Sequence, residues 1–163
     1  MKKFYDKLVK TRHHLHQYPE LSGQEYETTA FLSRYLQDLG IKILDSGLET
    51  GLIAEIGQGE PVIALRADID ALPILEQTGL PYASQNPGVM HACGHDFHQT
   101  SLLGAAELLK AMEEDLQGTI RLIFQPAEET SQGASQVLAT GLLDDVVAII
   151  GFHNMPQLKA GQM

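Results

Sequence analysis

The sequence has 163 residues, of which 44% are hydrophobic and 20% are charged, so it predicts one globular domain and excludes disordered and low-complexity chains. Its net charge of −10 argues against nucleic acid or an anionic membrane as a partner, because phosphate binding requires a basic surface. We find no apolar run of about 18 residues, no apolar leader and only one cysteine, and we therefore expect a cytoplasmic protein without a membrane span or an internal disulfide.

Two helices are predicted in the first 40 residues. The first runs from about Phe4 to Gln17 and ends before Pro19. Ser22 and Glu25 then form the S-x-x-E pattern of a capping box, in which each side chain satisfies a free backbone N–H at the start of a second helix. Gly40 ends that helix.

Strands and helices then alternate. Strands are predicted at 41–44, 52–56, 61–65, 119–124 and 146–151, and helices at 100–112 and 131–139. The runs at 61–65 and 146–151 are almost wholly apolar, as in strands covered on both faces. The strand, helix and strand of 119–151 form a βαβ unit with parallel pairing. We therefore predict an α/β fold with a mostly parallel central sheet flanked by helices.

Polar residues follow three of these strands. Asp68 follows the strand at 61–65, Glu128 and Glu129 follow 119–124, and His153 follows 146–151. In open α/β sheets, ligands bind at the carboxyl ends of the strands, so these side chains are expected to meet at one place. A loop at 91–98 adds a fourth polar segment directly before a helix.

Within this loop, Cys93 and His95 are separated by Gly94, which frees the backbone and lets both side chains converge. A thiolate and an imidazole suit zinc, and manganese, cobalt and nickel are also compatible. The alternative is a buried structural cysteine beside a hydrogen-bonded histidine.

Glu128 and Glu129 are adjacent and would point to opposite sides of an extended chain. One carboxylate could then bind a metal while the other faces substrate as a base, which are the two roles that a metal hydrolase requires. The alternative is a pair of solvated glutamates at a helix start, where negative charge is favourable.

Four further residues each have a functional and a structural interpretation. His153 is either a metal ligand or a hydrogen-bonded core histidine. Asp68 is either the partner that orients a metal-bound histidine or a turn residue. For Arg66 and His98 we favour structural roles, a carboxylate partner for Arg66 and local hydrogen bonds for His98.

Taken together, these motifs resemble the M20 family of metallopeptidases and amidohydrolases, in the branch of N-acyl-amino-acid amidohydrolases, hippurate hydrolases and auxin-conjugate hydrolases. The residues that carry the resemblance are, in chain order, Arg12–His16 with Pro19–Ser22, Ala64–Pro73, Met90–Asp96, Phe124–Glu129 and Gly151–His153. The resemblance implies a zinc-exopeptidase-like catalytic domain that hydrolyses the amide bond of N-acyl amino acids, or of a related small amide or dipeptide, with one or two divalent ions (Zn, Mn, Co or Ni).

The resemblance also assigns roles to residues. It implies that Cys93, His95, Glu129 and His153 are metal ligands, that Glu128 is the general base, and that Asp68 is the catalytic-site aspartate. It further implies that residues 1–163 are the N-terminal segment of the catalytic domain, that an inserted lid and dimerisation domain and the rest of the catalytic domain lie elsewhere, and that the full-length protein is a homodimer.

Two other functions are compatible with the same residues. In a thiol hydrolase, Cys93 would be the nucleophile and His95 or His153 its base. In a binding module, the fold would hold a ligand without turnover, but such a site does not require the free base that the paired glutamates offer.

Overall fold

The computed structural model describes residues 2–159, 161 and 162; Met1, Ala160 and Met163 lie outside the described residues. The helices of this part of the chain are α1 (Lys2–Gln17), α2 (Tyr26–Asp38), α3 (His95–Ala111) and α4 (Gly133–Ala139). The strands are β1 (Lys42–Ile43), β2 (Leu52–Gln58), β3 (Val62–Asp68), β4 (Gly118–Gln125) and β5 (Val146–Gly151).

The strands form one sheet in the order β1-β2-β4-β3-β5. β3 pairs in parallel with both β4 and β5, whereas β2 pairs antiparallel with β1 and β4. Four strands therefore run in one direction and only β2 is reversed, which confirms the α/β fold with a mostly parallel sheet. The expected direct pairing of the strands at 119–124 and 146–151 is wrong, because β3 lies between them.

The core has two layers of side chains, one on each face of the sheet. On one face, α2 and α3 pack through Leu32, Leu36 and Leu103 against residues of β2 and β4. On the other face, Val137 of α4 packs with Ile123 of β4. α1 lies against α3, where a Cβ on Gly104 would come within 2.9 Å of Leu8, so the absence of a side chain at Gly104 permits this close packing.

Two predicted features of the helices are corrected. Ser22 and Glu25 do not form a capping box, because Glu25 makes no cap hydrogen bond at the start of α2. Instead, the carboxylate of Glu20 accepts the backbone N–H groups of Glu27 and Thr28. α3 begins at His95, five residues earlier than predicted, so part of the polar segment predicted as a loop is its first turn.

β5 also differs from its prediction as a buried strand. It forms an edge of the sheet in the described residues, and most of its side chains are exposed, including Val147 (69%), Ile149 (54%) and Ile150 (60%). Apolar sequence alone predicts a covered strand, but it does not say which segment covers it. Among the described residues, no helix is long and apolar enough to cross a membrane.

Candidate metal centre

The parallel pairing of β3, β4 and β5 places their carboxyl ends at one edge of the sheet. Asp68 ends β3, Glu128 and Glu129 follow β4, and His153 follows β5. The segment before α3 brings Cys93 to the same edge, and the first residue of α3 is His95. The sheet topology therefore brings together all six residues that the sequence predicts for the site.

Gly94 makes the sharp entry into α3 possible. Its φ of +85° lies in the left-handed region, and a Cβ at this position would stand 2.5 Å from Oδ1 of Asn154. A side chain here would be strained by the backbone and would also clash with the segment after β5. Glycine thus allows Cys93 and His95 to approach that segment closely.

Cys93, His95 and His153 form one compact group, in which one donor atom from each lies within 4.8 Å of the others. The Sγ of Cys93 is 3.3 Å from Nε2 of His153. His95 also belongs to two other groups of this kind, one with Glu128 and Glu129 and one with Asp68 and His98. His95 is therefore at the centre of the site.

The two glutamates face His95 at equal distances. Nε2 of His95 lies 3.8 Å from Oε2 of Glu128 and 3.8 Å from Oε1 of Glu129. The Glu128 side chain is 37% exposed and that of Glu129 is 19% exposed. Glu128 is thus the more open of the two carboxylates to molecules arriving from solvent.

Burial divides the site into two parts. We call Asp68, Asp70, His95 and His98 the buried half, because each is at most 1% exposed. We call Cys93, Glu128 and His153 the open half, because each is partly or largely exposed. Glu129 lies between them.

Asp68 is held on two sides in the buried half. Its Oδ1 lies 2.6 Å from Nδ1 of His98, and its Oδ2 accepts a hydrogen bond of 2.7 Å from Arg66. Burial opposes ionisation of Asp68, but the hydrogen bond to His98 and the charges of His95 and Arg66 together lower its pKa to about 2. Asp68 is therefore a carboxylate at neutral pH, and Arg66 and His98 have the structural contacts expected from the sequence.

Asp70 is a site residue to which sequence reasoning gave no role. Its backbone oxygen accepts a 2.9 Å hydrogen bond from Nδ1 of His95, and its Oδ1 lies 3.3 Å from the same nitrogen. These contacts fix the ring of His95 and leave Nε2 facing the glutamates. The signal in the sequence was the spacing of Asp68 and Asp70, which places both on one side of the extended chain after β3.

Asn154 is a second residue that sequence reasoning missed. Its backbone N–H donates to Nε2 of His98 at 3.1 Å, and its backbone oxygen accepts from Nδ1 of His153 at 2.9 Å. Asn154 thus links the buried half to His153 and directs Nε2 of that histidine toward Cys93.

Two buried polar atoms at the centre of the site, Nε2 of His95 and Oε1 of Glu129, have no hydrogen-bond partner among the described residues. Buried polar atoms are mostly paired, and these two belong to residues of one group that could hold a metal ion, so they are compatible with a further ligand at this point. A thiol, two imidazoles and a carboxylate are a donor set that suits zinc and other borderline divalent ions. Cys93, His95, Glu129 and His153 therefore fit a divalent metal ion.

The ionisation of the Cys93 thiol depends on whether a cation is present. Burial and the neighbouring carboxylates of Glu129 and Glu128 raise its pKa to about 12. Without a cation the thiol therefore stays protonated at neutral pH, whereas metal binding requires and stabilises the thiolate.

The turn that carries the two glutamates has an unusual backbone. Ala127 and Ser131 both have positive φ angles, 48° and 58°, which cost of order 1–3 kcal/mol each in non-glycine residues. A Cβ at Gly133 would lie only 1.6 Å from the carbonyl oxygen of Pro126, so this position excludes any side chain. The conformation of the turn is thus imposed by its surroundings.

Residues 64–163 match the family described as Peptidase family M20/M25/M40. This range contains every residue of the buried half and of the open half. The chain therefore belongs to the M20/M25/M40 peptidase family, as its motifs indicated.

Individual relatives agree with this assignment. The chain is 58% identical over 156 residues to an N-acetyl-L-cysteine deacetylase of Bacillus subtilis (94% of this chain, 38% of the relative). It is 46% identical over 161 residues to the IAA-amino acid hydrolase ILR1-like 5 of Arabidopsis thaliana (98% and 37%). It also matches the crystal structure of the Bacillus subtilis YXEP protein, described as a dinuclear metal binding peptidase, with a TM-score of 0.94 and 55% identity (97% and 45%). The chain thus spans about two fifths of the length of these relatives.

Proposed function

We propose that the full-length protein is a metal-dependent hydrolase that cleaves the amide bond of N-acyl amino acids. The observation that carries this proposal is the convergence of Cys93, His95 and His153, with donor atoms within 4.8 Å of one another, beside the two carboxylates that face His95. A site that only bound a metal would not require a partly exposed carboxylate in addition to those that can bind it.

In this proposal, Cys93, His95, Glu129 and His153 hold the divalent ion or ions. A divalent ion in such a site polarises a carbonyl oxygen and lowers the pKa of water. Zinc, manganese, cobalt and nickel all suit these donors.

Glu128 is the proposed general base. Its carboxylate is 37% exposed, so it can reach both water and substrate, whereas Glu129 is turned further into the site. Glu128 takes a proton from the attacking water and passes it to the nitrogen of the leaving amino acid. Asp68 keeps His98 and Arg66 in place and adds negative charge 3.6 Å from Nε2 of His95, which favours the orientation of that ring.

The proposed substrate class rests on the names of the relatives. One is named for deacetylation of N-acetyl-L-cysteine and another for hydrolysis of IAA–amino acid conjugates. The two share an amino acid acylated on nitrogen and differ in the acyl group. We therefore assign the amide of an N-acyl amino acid to the site and leave the acyl group to experiment.

We also propose that residues 1–163 form the N-terminal segment of the catalytic domain, and that further chain supplies a lid and dimer contacts. The support is that the chain covers 37–45% of the relatives. The open half is where such additional chain would contribute to the site.

The test combines metal analysis with a substrate panel. The full-length protein is stripped with a chelator and reloaded with zinc, manganese, cobalt or nickel, and free amino acid is measured after incubation with N-acetyl, N-benzoyl and longer N-acyl amino acids. We expect the stripped protein to be inactive and at least one metal to restore turnover. Glu128→Gln, loaded with the same metal, serves as the matched control for contaminating hydrolases.

The same experiment separates the alternatives. The 3.3 Å contact between Cys93 and His153 is also the arrangement that a thiol hydrolase requires. A thiol hydrolase would retain activity in chelator and lose it on alkylation of Cys93. A binding module would hold stoichiometric metal yet release no amino acid from any member of the panel. Either result contradicts the proposal.

A further inference from the structure

Two side chains from the loop between α1 and α2 act on the turn that carries Glu128 and Glu129: Glu25 contacts the turn directly, and Ser22 contacts Asp70, which accepts a hydrogen bond from the turn. We call this pair the brace. Glu25 is completely buried although it belongs to a polar loop, and its carboxylate does not cap α2. A buried carboxylate needs strong hydrogen bonds, and the partners of Glu25 show what it does.

Both oxygens of Glu25 are used. Oε1 accepts the backbone N–H of Ala127 at 2.8 Å, across 102 residues of sequence, and Oε2 accepts the hydroxyl of Thr50 at 2.7 Å. Ala127 is the residue with a φ of 48°, directly before Glu128. Glu25 thus satisfies the N–H of the residue whose backbone sets the direction of the two glutamates.

Ser22 acts on the same turn through Asp70. Its hydroxyl donates to Oδ2 of Asp70 at 2.6 Å, and the same oxygen accepts the backbone N–H of Glu129 at 2.9 Å. The loop itself is fixed to this region, because the N–H of Ala71 donates to the oxygen of Glu20 at 2.8 Å. The brace therefore holds the turn at two successive points, before Glu128 and at Glu129.

The hydrogen bonds within the turn and those from outside it use different backbone groups. Within the turn, the oxygen of Ala127 accepts the N–H groups of Gln132 and Gly133, and the oxygen of Glu128 accepts the N–H of Ser131 at 2.8 Å. The N–H groups of Ala127 and Glu129, which face the core, have carboxylate acceptors from outside the turn.

From these contacts we infer that Glu25 is a positioning residue for Glu128 and Glu129, supported by Ser22 through Asp70. Neither side chain touches the reacting atoms; the brace acts by fixing the backbone on which the base and a metal ligand stand. This inference rests on the roles proposed above for Glu128 and Glu129.

The central experiment compares three variants of the full-length protein. Glu25→Ala removes both acceptors. Glu25→Gln keeps the size of the side chain, since its amide oxygen can accept from Ala127 and its amide nitrogen can donate to a rotated Thr50 hydroxyl. Glu27→Gln is the matched control, because Glu27 lies two residues away in the same helix turn and its side chain is exposed.

Three quantities are measured. Amide hydrogen exchange at Ala127 and Glu129 reports the turn without any metal or substrate. Metal affinity reports whether Glu129 is correctly placed as a ligand. The values of kcat and KM for an N-acyl amino acid report whether Glu128 is correctly placed as the base. For Glu25→Ala we expect faster exchange at Ala127, a fall of about 10–100-fold in kcat or metal affinity, and a KM within a few fold of wild type, as for other residues that orient metal-site groups. The same quantities should stay close to the wild-type values in Glu25→Gln and should equal them in Glu27→Gln.

The proposal is overturned if amide exchange at Ala127 is unchanged in Glu25→Ala. It is also overturned if Glu25→Gln loses as much kcat or metal affinity as Glu25→Ala, because a hydrogen-bonding role predicts that glutamine restores both. If Glu25→Ala does not fold, Ser22→Ala decides, because Ser22 is only half-buried; unchanged exchange at Glu129 in that variant overturns the proposal. If the wild-type protein hydrolyses no N-acyl amino acid, the proposed function fails, and the exchange data still decide whether the brace holds the turn.

Discussion

The buried half and the open half of the candidate site are held in place by different means. Asp68, His95 and His98 have partners on several sides, among them Arg66 and Asp70. In the open half, Cys93 lies 3.3 Å from His153, and the ring of His153 has one further hydrogen bond, from Nδ1 to the backbone oxygen of Asn154. Contacts among the described residues therefore hold the buried half at more points than the open half.

This difference fits the proposed chemistry. The buried half keeps charged groups in fixed positions in a region that excludes water, where electrostatic interactions are strong. The open half places the proposed base and two proposed ligands where substrate can arrive. Variants in the two halves should consequently differ in which property they lose.

Glu128→Gln should have the largest effect. The amide cannot accept a proton as a carboxylate does, so we expect kcat to fall by about 10²–10⁴-fold in the full-length protein while metal content stays at the wild-type level. Steady-state kinetics and metal analysis of the same sample measure both properties.

Glu129→Gln is the paired variant, and it should lose metal at concentrations that saturate the wild type. The assignment of base and ligand is reversed if Glu128→Gln releases the metal and Glu129→Gln keeps it.

His95→Ala and His153→Ala test the two halves directly. Loss of the buried His95 ring leaves the backbone oxygen of Asp70 without its hydrogen-bond donor, which costs about 1–3 kcal/mol in the free energy of unfolding. His153 is exposed, and its removal should change that free energy by only about 0.5 kcal/mol.

Denaturant unfolding of the metal-free protein measures this difference, and both variants should lose metal affinity. Equal destabilisation by the two substitutions would remove the distinction between the halves.

A smaller effect is expected at His16, which supports the buried half from α1. Its Nδ1 lies 2.9 Å from Oδ2 of Asp96, the neighbour of His95, and its Nε2 lies 3.1 Å from Oε1 of Glu76. The hydrogen bond to Asp96 raises the pKa of His16, whereas burial lowers it. The hydrogen bond to Glu76 also raises this pKa, and the net result is a raised pKa. A raised pKa in the folded state means that protonated His16 stabilises the fold fully below about pH 6.5 and loses this contribution as the pH rises through the folded-state pKa.

Unfolding measurements on wild type and His16→Gln at several pH values check this expectation. The free-energy difference between the two proteins should be larger at pH 6 than at pH 9. A free-energy difference that is constant from pH 6 to pH 9 would contradict a raised pKa of His16. A free-energy difference that grows with pH would mean that protonation of His16 destabilises the fold.

Much of this architecture could be predicted from sequence because the relevant signals are local. Apolar runs indicate the strands. Because β3, β4 and β5 are parallel, the polar residues that follow them are expected at one edge of the sheet. The burial of β5 was mispredicted because hydrophobicity records that a strand can be covered, not which segment covers it.

The other errors in the prediction have a common physical cause. The side chains concerned form hydrogen bonds with residues that are distant in the sequence, whereas the prediction assumed contacts with neighbouring residues. Ser22 and Glu25 have the spacing of a capping box, yet both side chains turn to groups more than 20 residues away. Asn154 gives no local signal at all, because its role depends on the position of His98 after folding. Such contacts cannot be derived from spacing.

The strand order has a consequence for how the chain acquires this structure. β3 is flanked on both sides by strands that follow it in the chain, since Val62 pairs with Thr119 and with Val146. During synthesis at about 5–20 residues per second, β3 therefore leaves the ribosome several seconds before either neighbour exists. Over that interval its apolar side chains and backbone groups have no sheet partners, and the high sequence separation of these pairings makes folding slow. β3, which is next to the edge strand β5 in the finished sheet, is thus a segment of the nascent chain that stays unpaired and open to chaperone binding until β4 and β5 follow.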